Sequence, residues 1–134
     1  MLSSFLAVTI PGVTVPSILI ADDCTAVRTA TRHFLEDQPG VKVCGEAIDG
    51  LDALEKSRHL SPDLIILDLQ MPRMNGLQAA RELRAMSVNV PIILFTMYAD
   101  AVRPQDALAA GVTAVVSKTD LTALHQQIES LLVA

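Results

Sequence analysis

Four short apolar runs, rich in β-branched residues, recur at 17–21, 63–67, 90–95 and 113–117, with stretches of helical periodicity between them. No other feature constrains the fold so strongly. Strands that alternate with helices cannot pair as hairpins, so they read as βα units around a mainly parallel sheet. A fifth strand is expected at 41–47, where Val41, Val43 and Gly45 alternate with Lys42, Cys44 and Glu46, the pattern of an edge or half-exposed strand. Helices are expected over 24–37, 50–60, 76–86, 104–111 and 120–132. The first carries Val27, Ala30, Phe34 and Leu35 on its apolar face, and the second turns Leu51, Leu54 and Leu60 inward. Leu77, Ala80, Leu83 and Arg84 mark the turns of the third, and Leu121, Leu124, Ile128 and Leu131 stripe the fifth. Pro39-Gly40 stops the first helix, Pro104 suits the first position of the fourth, Gly111 ends it, and Asp120 caps the fifth. Pro72 and Asn75-Gly76 make 71–76 a loop.

At 134 residues the chain suits one domain, and 51% hydrophobic residues suffice for a core without disulfides. Aromatic side chains are scarce, so Leu, Ile, Val and Ala must fill that core. A net charge of -5 and the lack of any Lys or Arg run argue against a nucleic-acid-binding surface. Cys24 and Cys44 form neither a disulfide framework nor a Cys-x-x-Cys pair and read as reduced thiols of a cytoplasmic protein. No apolar run approaches the roughly 18 residues of a spanning helix, so no membrane association is expected. Residues 1–16 are apolar, broken by Pro11, Gly12 and Pro16, and lack the basic start of a signal peptide. They are expected to form a flexible extension ahead of a domain over 17–134.

Each strand-like run is followed by a residue with chemistry to offer. In an open parallel sheet the carboxyl ends of the strands line one crevice, so Asp22, Asp23, Asp68, Thr96 and Lys118 are expected to converge. Adjacent carboxylates repel, and a divalent cation relieves that repulsion; alternatively, one Asp of the 22–23 pair caps the first helix. Asp68 suits a third metal ligand, a nucleophile toward phosphorus, or a residue that fixes a turn. The Thr96 hydroxyl can donate to a phosphoryl oxygen, although Thr is also simply a good strand former. Lys118, one of only three lysines, can neutralise a phosphoryl oxygen as a point charge.

The sequence resembles the receiver domain of bacterial two-component response regulators. The resemblance rests on Ile18-Leu19-Ile20-Ala21-Asp22-Asp23, on 63–76 with its Asp68-x-x-Met71-Pro72-x-x-Asn75-Gly76 core, on Pro91 to Thr96, and on Ala110 to Lys118. It implies a doubly wound, flavodoxin-like (βα)5 fold with strand order 2-1-3-4-5. It further implies that Asp68 accepts a phosphoryl group from a phosphohistidine of a sensor histidine kinase or histidine phosphotransfer protein. Asp23 and Asp68 would ligate Mg2+ (or Mn2+) directly, Asp22 mostly through water, with the backbone carbonyl of Gln70 as a further ligand. Thr96 and Lys118 would contact the phosphoryl group. The surface of helix four, strand five and helix five would then switch, and a homodimer through that face is a further partner. Helix one would form the kinase docking face. Such a domain is no enzyme toward an outside substrate; it catalyses only its own phosphorylation and slow dephosphorylation.

Two departures stand out. Val115 occupies the position three before the lysine where receivers usually carry Tyr or Phe, which makes Tyr98 the candidate gate to the site. Thr119 follows Lys118 where many receivers have Pro, so a trans bond is expected, since a non-Pro cis bond costs about 3 kcal/mol. Lys118-Thr119-Asp120 and Phe95-Thr96-Met97-Tyr98 look like receivers of helix-turn-helix regulators, and the chain reads as either a stand-alone regulator or a piece of a longer one. The alternative is a pseudo-receiver that binds protein without phosphorylation. An aspartyl-phosphatase would need an acid where Gln70 stands. A flavodoxin would need a hydroxyl- and Gly-rich loop where Asp22-Asp23-Cys24 stands.

Overall fold

The computed structural model describes residues 14–132. Its elements alternate: β1 (Ser17–Ala21), α1 (Thr25–Glu36), β2 (Lys42–Ala47), α2 (Gly50–Leu60), β3 (Leu64–Leu67), α3 (Gly76–Ala85), β4 (Ile92–Thr96), a single 3-10 turn (Ala99–Ala101), α4 (Pro104–Ala110), β5 (Ala114–Ser117) and α5 (Leu121–Leu132). The five strands pair in parallel in the order β2-β1-β3-β4-β5. This is the doubly wound, flavodoxin-like arrangement expected from the sequence. Residues 1–13, which carry nearly all of the expected extension, and 133–134 lie outside the described residues.

The continuous apolar runs have a simple cause. β1, β3 and β4 are covered on both faces, so their side chains are apolar except at the ends, where Ser17 and Thr96 are buried with hydrogen-bond partners. Successive residues point to opposite faces. Leu19, Ala21, Ile65, Leu67, Ile92 and Leu94 pack toward α2, α3 and α4 through Ala53, Ala79, Ala80, Leu83, Ala107 and Ala110. Ile18, Ile20, Leu64, Ile66, Ile93 and Phe95 pack toward α1 and α5 through Leu35, Leu124 and Ile128. The edge assignment for β2 holds, but its alternation breaks. A bulge pairs Ile18 with Val43 and Leu19 with Gly45, which leaves Cys44 without a partner residue on β1.

Some helical faces differ from expectation. α2 buries Gly50, Ala53 and Ser57, whereas Leu51 and Leu60 are each 40% exposed. Small residues let α2 approach closely, and the larger leucines are left at its margins. On α1 Ala30 is exposed and Thr31 is buried. The Thr31 hydroxyl donates to the Val27 carbonyl at 2.8 Å, which removes the cost of burying it. Leu121 is 41% exposed at the start of α5. Asp120 caps that helix as expected, accepting from the Ala123 amide at 2.9 Å, and Pro104 occupies the first position of α4. Asn75 and Gln78 close a reciprocal capping box on α3, each side chain accepting from the other's amide at 2.9 Å. Both cysteines are free thiols. Among the described residues no helix is long and apolar enough to cross a membrane.

Candidate functional site

β1 sits between β2 and β3, so the connections leaving β1 and β3 diverge to opposite sides and open a crevice at the carboxyl edge of the sheet. Asp22 and Asp68 extend the strands into it. The Asp22 amide donates to the Ala47 carbonyl at 3.0 Å and the Asp68 amide to the Ala21 carbonyl at 2.9 Å. Both carboxylates are therefore held by the sheet ladder, at 3% and 7% exposure. Asp23 is exposed at the rim. Each of the three offers a carboxylate oxygen, and these oxygens lie within 4.8 Å of one another. Lys118, one residue past β5, reaches across with its Nζ 2.6 Å from Asp22 Oδ2 and 3.2 Å from Asp68 Oδ1. Its own amide donates to the Thr96 carbonyl at 3.0 Å, which fixes the start of that reach.

The charges are uneven in a useful way. Burial pushes the Asp68 carboxyl above the usual carboxylate range, the Asp22 charge adds to this, and Lys118 only partly opposes it. Burial also pulls the Lys118 ammonium down, but Asp22 and then Asp68 outweigh it, so its pKa is raised and it stays charged. The two shifts agree once geometry is considered, because Lys118 lies closer to Asp22 and shields Asp68 less. Three carboxylates against one ammonium leave two negative charges among oxygen donors. That donor set fits a divalent hard cation such as Mg2+.

Asp22 is gripped further. Its Oδ1 accepts from the Cys24 amide at 2.9 Å, but the N-cap of α1 is Cys24 itself and no side chain caps the helix, so neither Asp of the pair fills the capping role that was the alternative to a cluster role. The Asp22 carbonyl accepts from Arg28 at 2.7 Å. Arg28 is held by Glu46 at 2.8 Å, and Arg32 holds the other oxygen of Glu46 at 2.7 Å. The sequence reading missed Arg28 and Glu46. The available signals were a charged residue on an otherwise modest edge strand and the first basic residue of the chain, one turn into α1. Gly76, expected as a turn former at the start of the third helix, has a second role. A Cβ there would overlap the Asp68 carbonyl and approach Leu94 Cδ1 to 2.8 Å, so only glycine lets α3 start this close to Asp68.

The remaining expected residues are placed as follows. Thr96 ends β4, fully buried, and its hydroxyl accepts from the Tyr98 amide at 3.1 Å. Tyr98 is 52% exposed. Gln70 is exposed in the loop two residues beyond Asp68. Val115 is partly buried against the core on the α2, α3 and α4 side. The Lys118–Thr119 bond is trans, as is every peptide bond among the described residues, and Ser117 Oγ lies 2.7 Å from Thr119 Oγ1.

Sheet order and acidic cluster together define a class: a receiver domain, with its polar crevice at the switch point of a doubly wound sheet. Comparison with known proteins agrees. The family profile described as the response regulator receiver domain matches residues 18–129, and the chain belongs to that family. It is 38% identical over 110 residues to protein-glutamate methylesterase/protein-glutamine glutaminase 3 of Paramagnetospirillum magneticum, covering 82% of this chain and 31% of that protein. It is 35% identical over 102 residues to the response regulator UvrY of Escherichia coli, covering 76% of this chain and 47% of that protein. The chain thus spans less than half the length of these curated relatives. Among solved structures it is similar to the response regulator protein TrrA of Thermotoga maritima in complex with Mg(2+)-BeF, with a TM-score of 0.79, 29% identity, and coverage of 87% of this chain and 99% of that one.

Proposed function

We propose that this chain is the phosphoacceptor of a two-component system, with the receiver unit running over 17–134. Asp68 takes a phosphoryl group from a phosphohistidine of a sensor histidine kinase or histidine phosphotransfer protein. A carboxylate oxygen of Asp68 attacks phosphorus, the P–N bond breaks, and the imidazole nitrogen leaves with the electron pair and takes up a proton. The observation that carries this reading is the Lys118 ammonium 3.2 Å from Asp68 and 2.6 Å from Asp22, inside a cluster of three carboxylates. Asp22, Asp23, Asp68 and the Gln70 carbonyl would hold Mg2+ or Mn2+, which supplies charge neutralisation on the phosphoryl oxygens. Lys118 places a second positive charge on those oxygens, and Thr96 turns its hydroxyl to them. Tyr98 sits exposed beside Thr96 and gates access. The chain acts on no outside substrate; it accepts and slowly loses its own phosphoryl group in the cytoplasm. The output is a change in the α4–β5–α5 face, which also serves for pairing with a second copy.

The test is incubation with acetyl phosphate and Mg2+, read by intact mass. We expect one added phosphoryl group, lost in Asp68→Asn and lost on chelation. A wild-type protein that stays unlabelled, and also takes no phosphoryl group from phosphorylated kinases, would be a phosphorylation-independent binding module instead.

A further inference from the structure

The loop between β3 and α3 carries Gln70, and two features beyond the acidic cluster fix that loop. Arg73 lies within it at φ 66, a left-handed conformation that is strained for any residue with a Cβ. Its guanidinium reaches back to Asp49, with Nε and a terminal nitrogen each 2.8 Å from Asp49 Oδ2. Asp49 is only 3% exposed. Its other oxygen is also committed, accepting from the Asp52 amide at 2.8 Å as the N-cap of α2. Burial raises the Asp49 pKa, but the Asp52 amide and Arg73 overcome that and hold the carboxyl below its usual range. Directly beneath, Gly50 leaves room for the loop: a Cβ there would overlap the Met74 carbonyl and lie 2.6 Å from Met74 Cβ. The loop therefore rests on the first turn of α2: the Gly76 amide closes its ends by donating to the Leu69 carbonyl at 2.8 Å, and one ion pair whose anion is buried ties its middle to α2.

We infer that Arg73 is a positioning residue for the metal site, pinning the 69–75 loop through Asp49 so that the Gln70 carbonyl stands in place beside Asp68. This inference rests on the proposed Mg2+ site. Arg73 touches neither metal nor phosphoryl group; it acts through the loop backbone. The αL conformation at residue 73 is kept because the ion pair holds it, and relaxing residue 73 releases the segment that starts two residues after Asp68.

Arg73→Gly separates the two roles of the residue, because glycine accepts the left-handed backbone but cannot pair with Asp49. The readouts are the Mg2+ dissociation constant of the full chain, from a titration followed by backbone amide shifts, and hydrogen exchange of amides 69–76 in the metal-free protein. We expect Mg2+ binding weakened about tenfold, as for other residues that orient metal ligands from behind, with faster exchange in the loop. Arg73→Lys should recover part of both, and Asp49→Asn should weaken binding without further loss when combined with Arg73→Gly. Unchanged Mg2+ affinity in Arg73→Gly, even with a lower Tm, overturns the inference alone. A wild-type chain that binds no Mg2+, or an Asp23→Asn variant that binds it as tightly as wild type, overturns the metal site and the inference with it.

Discussion

Asp68 is 7% exposed, and the Lys118 ammonium that contacts it at 3.2 Å sits closer to Asp22, at 2.6 Å. With its pKa raised by burial first and Asp22 second, the folded state binds this proton more tightly than the unfolded chain does. Stability is therefore fully present below the ordinary carboxylate range and is lost as pH rises through the higher folded value. Asp68→Asn removes that loss while Lys118 keeps its contact with Asp22. In chelator at neutral pH we expect the variant to be more stable by on the order of 1 kcal/mol, a Tm rise of about 4 °C. Urea unfolding at several pH values should show the gap to wild type opening as pH rises; a constant gap would refute the charge explanation. Asp22, Asp23, Asp68 and Lys118 were readable as neighbours because each follows a strand-like run and strand ends converge in a parallel sheet; Thr96 ends such a run, but its hydroxyl is held by the Tyr98 amide. Arg28, Asp49 and Arg73 were not readable in that way. Their partners are fixed only when β2 is laid beside β1 and the loop after β3 is laid on α2.

Packing of elements explains which parts of the fold the sequence disclosed. Runs such as Ile92–Thr96 read as buried strands because both faces are covered. Helical faces were harder, since α2 packs through Gly50, Ala53 and Ser57 and hydrophobicity alone favours its leucines. The bulge at Cys44 was invisible for a different reason: register depends on the partner strand. The contact between α1 and β2 makes a prediction of its own. Glu46 joins the two elements by accepting from Arg28 and Arg32, and the Arg32 hydrogen bond, followed against burial by that of Arg28, holds its carboxyl below the usual range. Its stabilisation is present above the ordinary Glu pKa and is lost as pH falls through the depressed folded value. Glu46→Gln is expected to cost about 1–2 kcal/mol at neutral pH and nothing at the acid end. A denaturation series from neutral to acid pH checks this, and equal losses at both ends would show that the pair adds nothing through charge.

At the scale of the whole molecule, the proposed function makes the cluster couple ion, fold and output surface. Mg2+ that binds only the folded state stabilises it by about 2.7 kcal/mol at one hundred times its dissociation constant. The stability order of wild type and Asp68→Asn should therefore reverse between chelator and saturating Mg2+. In the proposed function the signal passes from the crevice to α4, β5 and α5, and Thr96 supplies a short hydrogen-bonded route. Thr96 is fully buried at the end of β4, with its hydroxyl engaged by the Tyr98 amide 3.1 Å away. Its carbonyl also anchors the Lys118 amide at 3.0 Å. The hydroxyl accepts from Tyr98 and still has its proton to give, so donation alone leaves that bond intact; a side chain that moves far enough to reach a phosphoryl oxygen would break it and free the turn Ala99–Ala101 that leads into α4. With no aromatic at Val115 to follow the hydroxyl, the Thr96–Tyr98 hydrogen bond would be the element with two states in the proposed switch. Thr96→Val keeps the shape and removes the bond. With beryllofluoride and Mg2+, wild type should show amide shift changes at the cluster and through 97–121; the variant should keep the first set and lose the second. Changes that persist through 97–121 in Thr96→Val would mean the output face is reached by another path, with Lys118 the next residue to replace.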